Sequence, residues 1–141
     1  MEISCLGKVH HIGVVTPNYE KTAEFYLAIG YHYVVGGYDP YQNVYGYFFE
    51  CDNRPTIELL MPKDETSPIN QIIKKNGVSP YHLCYEANCP YEEAISELKK
   101  NKFMQITRPS ISDNLNKRRV CFFYHANVGI VELLENENFC K

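Results

Sequence analysis

The sequence predicts an α+β protein of two βαβββ modules whose strands form one curved mixed sheet. Three observations lead there. A histidine opening an apolar run is followed by a glutamate inside another such run, and this happens twice. The copies are His11-Ile12-Gly13-Val14 with Ile57-Glu58-Leu59-Leu60, and His82-Leu83-Cys84-Tyr85 with Val131-Glu132-Leu133-Leu134. The spacings agree: positions 11 and 58 lie 47 residues apart, positions 82 and 132 lie 50 apart. Between each histidine and its glutamate, a helical pattern precedes strand-like runs. At 141 residues the chain suits a single domain, 1–141, with module 1 over about 8–62 and module 2 over about 80–136. Neither module could easily cover its own sheet, so the two are expected to share a concave, metal-binding cleft.

Lys8–Val15 is β-like. Pro17-Asn18 interrupts it, and Asn18 suits the N-cap of a helix over Tyr19–Ile29 that stops at Gly30. Ala23, Tyr26 and Leu27 share one face of that helix by spacing. Tyr31–Tyr38 and Val44–Cys51 are β-branched and aromatic, and Thr56–Met61 follows the turn Asp52-Asn53-Arg54-Pro55. A polar connector from Pro62 to Pro68 leads into a short helix, Ile69–Lys75, stopped by Asn76-Gly77. The plan then repeats: strand Tyr81–Glu86, helix Cys89–Asn101 with Ala94, Ile95 and Leu98 on one face, then strands Phe103–Thr107, Arg119–Tyr124 and Ile130–Leu134. Arg108–Arg118 is polar and long for a connection, which makes it a candidate flap.

A charged glutamate inside an apolar strand is costly unless something compensates it. Two such glutamates and two histidines make four N/O ligands for one divalent metal: His11, Glu58, His82 and Glu132. His10 and His11 are adjacent, so strand parity lets only one face the cleft. Alignment of Tyr81-His82 with His10-His11 selects His11. His125, at a strand end, and His32, after a helix, read as loop or structural residues.

Composition narrows the function classes. A net charge of −3 and a pI near 5.9 argue against nucleic acid as a partner, and Lys117-Arg118-Arg119 is the only basic cluster. No apolar run approaches the roughly 20 residues that span a bilayer. Met1–Cys5 has no basic or apolar leader character, and none of the six cysteines forms a C-x-x-C pair. They are read as reduced thiols of a cytoplasmic protein. Twelve tyrosines and seven phenylalanines are many for this length. Tyr31, Tyr33, Tyr38, Tyr41, Tyr45 and Tyr47 cluster in the first half, where strand-face packing and interface area explain them first and a pocket lining second. That excess apolar surface leads to the expectation of a homodimer, symmetric as most such assemblies are.

The motifs HHIGVV at His10–Val15, IELLMP at Ile57–Pro62, SPI at Ser67–Ile69, KKNG at Lys74–Gly77, YHLCYE at Tyr81–Glu86 and VELLE at Val131–Glu135 carry a resemblance. From about Val9 to Glu135 the chain resembles the vicinal oxygen chelate superfamily of glyoxalases, bleomycin-resistance proteins and extradiol dioxygenases, and in motif its epimerase branch and glyoxalase I. The resemblance implies the glyoxalase-like fold and one divalent ion (Zn, Ni, Co, Mn or Fe) on His11, Glu58, His82 and Glu132. The ion would bind vicinal oxygens of a small-molecule substrate and polarise a carbonyl, acidifying the adjacent C–H. Glu132, then Glu58, is the candidate base. The implied function is a metal-dependent isomerase or lyase acting on a small acyl thioester or hemithioacetal, either methylmalonyl-CoA epimerase-like or lactoylglutathione lyase-like. Two departures stand out. Where epimerases carry a second catalytic glutamate, this chain reads Asp39-Pro40-Tyr41-Gln42-Asn43-Val44, with Tyr41 or Gln42 at the position according to register. Tyr41 is then the candidate second proton donor. No basic residue of the first half other than Arg54 suggests itself for a glutathione carboxylate. A metal-free binding protein of the bleomycin-resistance type is the alternative, disfavoured by the full ligand set. An extradiol dioxygenase is disfavoured by Glu58. Substrate-contacting residues are not legible.

Overall fold

The computed structural model describes residues 1–139. Cys140, one of the six cysteines expected as thiols, lies outside them. Among the described residues three helices accompany a nine-stranded mixed sheet, and these residues divide into two compact units: 11–81, and 1–10 with 82–139.

In the His11–Tyr81 unit the strand order is β2-β3-β4-β1, from β1 (Leu6–Val15), β2 (His32–Asp39), β3 (Val44–Glu50) and β4 (Ile57–Pro62). β1 and β4 run parallel, with Gly13 beside Glu58. β3 and β4 run antiparallel, with Phe48 opposite Glu58 and Gly46 opposite Leu60. Helix α1 (Tyr19–Ala28) begins as expected at Asn18, whose Oδ1 accepts the Lys21 N–H at 3.2 Å. Gly30 follows its end at φ 106°, a conformation glycine adopts without steric cost. Strand parity sorts the side chains between two faces. Val14, Phe49, Ile57 and Leu59 pack with Ala23 of α1 and Tyr31. Val15, Val44 and Leu60 pack with Ile69 of α2 (Ile69–Asn76). Leu27, expected on the buried face of α1, is 54% exposed; Ala23 and Tyr26 face the sheet, and Leu27 falls past the edge of that stripe.

The second unit repeats the plan with order β5-β9-β8-β6 and β7 set against β8. Its strands are β5 (Ser79–Ala87), β6 (Met104–Gln105), β7 (Ser110–Ser112), β8 (Arg118–His125) and β9 (Gly129–Leu134). β5 and β9 are parallel, with Cys84 beside Glu132, and β8 and β9 are antiparallel, with Phe122 opposite Glu132. Helix α3 (Tyr91–Lys100) packs Tyr91, Ala94 and Leu98 against Phe103, Cys121, Phe123, Val131 and Leu133. These are the helix face and the strands that the spacing predicted, displaced by a residue or two at the ends.

Three expectations are corrected. The strand expected over Phe103–Thr107 shrinks to Met104–Gln105: Ile106 N–H still reaches the Phe122 carbonyl at 2.8 Å, but the Phe122 N–H goes to the Thr107 hydroxyl at 2.9 Å and the backbone ladder ends there. The expected flap over Arg108–Arg118 is largely ordered. Ser110–Ser112 pairs with β8, a 3-10 turn covers Asp113–Leu115, and Lys117 N–H returns to the Ser112 carbonyl at 2.9 Å. Asn116 and Lys117 take the left-handed conformation at φ 57° and 63°, and buried Leu115 anchors the turn. The cysteines are not all reduced: Cys5 and Cys89 form a disulfide, their Cα atoms 5.4 Å apart. The start of β1 runs beside the β5–α3 connection, where Asn88 N–H donates to the Cys5 carbonyl at 2.8 Å. This juxtaposes two cysteines 84 residues apart, which sequence spacing cannot reveal. Cys51, Cys84 and Cys121 remain thiols. Among the described residues no helix is long and apolar enough to cross a membrane.

Candidate metal centre

The first His–Glu pair is built by β1 and β4. His11 is completely buried, and His10 beside it is half-buried on the opposite parity. His11 Nε2 stands 3.2 Å from Glu58 Oε1. The pair meets because His11 lies two residues before Gly13, the parallel partner of Glu58, on the same face of the sheet. Phe48, opposite Glu58 on the other side, presents its ring to the imidazole at a centroid distance of 5.0 Å and an interplanar angle of 89°. Gly46 completes the surroundings. A Cβ there would come within 2.7 Å of Glu58 Oε2, so the bare backbone of β3 leaves the space that this carboxylate occupies.

The second pair repeats the first. His82 lies two residues before Cys84, the parallel partner of Glu132, and His82 Nε2 stands 3.0 Å from Glu132 Oε1. Phe122, opposite Glu132, meets the His82 ring at 5.2 Å and 86°. His82 and Glu132 are buried, at 4% exposure each. On the other face of β9 the Tyr91 hydroxyl donates to the Leu133 carbonyl at 2.8 Å, tying the Glu132 strand to α3. Burial pushes the Tyr91 phenol well above its usual range and the neighbouring Cys121 thiol up to about 11. The basic cluster predicted after the flap is matched by carboxylates: Lys117 with Asp113, Arg118 with Glu86 at 2.9 Å, and Arg119 with Glu135 and Glu92 at 2.7 Å each.

A buried carboxylate against a buried imidazole is stable only if a proton or a cation compensates the charge. Ring nitrogens and carboxylate oxygens suit hard or borderline divalent ions, and each of the four side chains offers one such atom. The donor chemistry therefore fits the ion that the repeat suggested.

The other predicted residues are placed as follows. Tyr41 sits on the β2–β3 turn, 69% exposed, with its backbone N–H on Asp39 Oδ1 at 2.8 Å. Gln42 Nε2 donates to Asp39 Oδ2 at 2.8 Å. Tyr45 and Tyr47, expected to share a face, stack at 6.4 Å and 15°. His125 ends β8, where its Nδ1 accepts the Asn127 N–H at 3.0 Å. Sequence reasoning missed Phe48, Phe122 and Gly46. A signal for the first two exists: the doublets Phe48-Phe49 and Phe122-Phe123 each begin ten residues before a predicted ligand glutamate.

A family profile described as the glyoxalase/bleomycin resistance protein/dioxygenase superfamily matches residues 10–122. The chain is 29% identical over 132 residues to the mitochondrial methylmalonyl-CoA epimerase of Homo sapiens, covering 91% of this chain and 73% of that protein. The crystal structure of methylmalonyl-CoA epimerase from Mycobacterium tuberculosis superposes with a TM-score of 0.82 at 18% identity, covering 96% of this chain and 91% of that one. A methylmalonyl-CoA epimerase solved in complex with methylmalonyl-CoA and NH4+ superposes with a TM-score of 0.78 at 19% identity, covering 94% and 96%. With its repeated strand plan and the profile spanning most of its length, the chain belongs to the glyoxalase/bleomycin resistance protein/dioxygenase superfamily.

Proposed function

We propose that this protein is an epimerase-like isomerase that moves the proton beside the carbonyl of a small acyl thioester, using one divalent ion held by His11, Glu58, His82 and Glu132. The observation carrying the reading is the duplicated His–Glu pair on a buried imidazole, with the same register and nearly the same distance in each unit. The relatives point to the substrate class, since the human one is a methylmalonyl-CoA epimerase and a structural neighbour was solved with methylmalonyl-CoA. That favours an acyl thioester over a hemithioacetal, and an epimerase over a lyase. When bound, the ion would serve as a Lewis acid toward the substrate carbonyl. The chain's own groups would do the rest. The imidazoles would present ring nitrogens to the ion, and Glu132 would take the proton from the carbon, with Glu58 the second candidate. Tyr41 is proposed to return a proton on the opposite side through its phenol O–H.

The test starts with metal content after purification without added metal, where about one ion per chain is expected. Substitution of any of the four residues by alanine should abolish retention. Full occupancy in both His11→Ala and Glu132→Ala would put the site elsewhere. Solvent-deuterium exchange into acyl-CoA thioesters then tests the reaction. Glu132→Gln should retain some metal and lose turnover by about two or more orders of magnitude. Retained turnover would shift the base to Glu58, and activity in Glu58→Gln as well would remove this mechanism. We also propose a homodimer, supported by exposed Tyr33, Val34 and Tyr38 on the end strand β2. Sedimentation as a monomer at high micromolar concentration would refute it.

A further inference from the structure

We infer that Phe48 and Phe122 are positioning residues, one in each module, that set the ring planes of His11 and His82. The inference deepens the metal-centre reading above and rests on it. The same four-part relation occurs in both units. A glutamate has a parallel neighbour two residues after the histidine: Gly13 for Glu58, Cys84 for Glu132. Its antiparallel neighbour is a phenylalanine: Phe48 for Glu58, Phe122 for Glu132. Each phenylalanine meets its histidine almost at right angles, at 5.0 Å and 89° in one case and 5.2 Å and 86° in the other. Two units with different flanking residues thus hold the same three side chains in the same arrangement.

The physical need is specific. Rotation of an imidazole about its last torsion is broad and roughly two-fold, so the backbone alone leaves Nε2 loosely aimed. A metal site tolerates ligand displacements of only about 0.2 Å. Ring orientation is commonly fixed by a hydrogen bond from the second nitrogen. A perpendicular phenyl ring restricts the same torsion from the side, because rotating the imidazole drives it into the phenyl. Both phenyl rings are themselves fixed, with exposures of 3% for Phe48 and 6% for Phe122. Their sequence neighbours serve as internal controls. Phe49 and Phe123 are equally buried but point to the helix-covered face, in the clusters with Ala23 and with Leu98.

The experiment compares Phe48→Leu and Phe122→Leu with Phe49→Leu and Phe123→Leu. Three quantities are measured: the Co2+ dissociation constant by chelator competition, the Co2+ absorption spectrum, and the histidine ring order in the metal-free protein by NMR relaxation. The first two variants should bind Co2+ about ten- to a hundredfold more weakly, with a displaced ligand-field band, and their His11 or His82 rings should become mobile. The controls should lower the unfolding temperature by a similar amount while leaving affinity, spectrum and ring order as in the unsubstituted protein. Unchanged affinity and unchanged ring order in Phe48→Leu and Phe122→Leu would overturn the inference, as would equal losses in the controls. If the unsubstituted protein binds no Co2+, the metal reading fails, and ring order alone decides: loosening confined to the first two variants supports positioning, and its absence refutes it.

Discussion

Gly46→Ala should damage the candidate centre without damaging the fold. A Cβ at this position would lie 2.7 Å from Glu58 Oε2, whereas ordinary contact begins at 3.4 Å. The carboxylate must therefore retreat by about 0.7 Å, several times the tolerance of about 0.2 Å for a metal ligand. The other neighbour, Leu60 Cδ2 at 3.5 Å, is already in ordinary contact and need not move. Gly46 has no positive φ, so alanine fits the backbone, and replacing glycine there should stabilise the chain by about 0.4–1 kcal/mol through the unfolded state. The expected result is a dissociation: metal affinity falls about ten- to a hundredfold, or about 1.4–2.8 kcal/mol, while the unfolding midpoint stays level or rises. Chelator competition and urea denaturation on the same preparations measure the two quantities. Undiminished affinity would show that Glu58 does not need this space. A loss of affinity with an equal loss of stability would show that Gly46 serves the strand and not the carboxylate.

Three further outcomes are expected. The Cys5–Cys89 disulfide closes a loop of 84 residues, so Cys5→Ser should lower unfolding stability by about 4.5 kcal/mol on the chain-entropy account; dithiothreitol should bring the original protein to the same urea midpoint. Tyr91→Phe removes the donor from the buried Leu133 carbonyl and should cost about 1–3 kcal/mol, measured by the same denaturation. Glu97 accepts the Ser4 and Cys5 amide hydrogens at 2.7 Å, and chiefly the Cys5 amide holds its pKa below the ordinary carboxylate value. A lowered folded pKa means that its contribution is present above the unfolded pKa and is lost as pH falls through the folded one. Hydrogen-exchange protection of those two amides should therefore drop on acidification below about pH 4, and Glu97→Gln should remove the pH dependence.

The fold was legible because its signals are periodic and occur twice. Asn18 before a helical stripe, Gly30 after it, and the alternation through Val14-Val15 and Leu59-Leu60 each name an element or a face, and the second module repeats the statement. The glutamates were legible as exceptions, since a charge amid Ile57 and Leu59 or Val131 and Leu133 has no packing explanation. Contacts between segments far apart in the chain were not. Nothing in the spacing of Cys5 and Cys89 distinguishes them from the other cysteines, and Leu115 does not announce that it will anchor an apparently open loop.

Phe48 and Phe122 fall between these cases. Each belongs to a doublet, and a doublet in a strand always offers one ring to each face, so the residues alone do not say which faces the carboxylate. Register decides it, and register became visible only when Phe48 and Phe122 were found opposite Glu58 and Glu132. Gly46 is harder still, because the repeat breaks there. Gly46 lies opposite Leu60, and the corresponding residue opposite Leu134 is Val120. One module clears room for its carboxylate by omitting a side chain, while the other seats Glu132 beside a β-branched residue. The Glu58 side chain accordingly keeps 13% exposure against 5% for Glu132. The duplicated candidate ligand set thus has unequal surroundings, and the two carboxylates differ in their access to solvent because one strand omits a side chain that the other keeps.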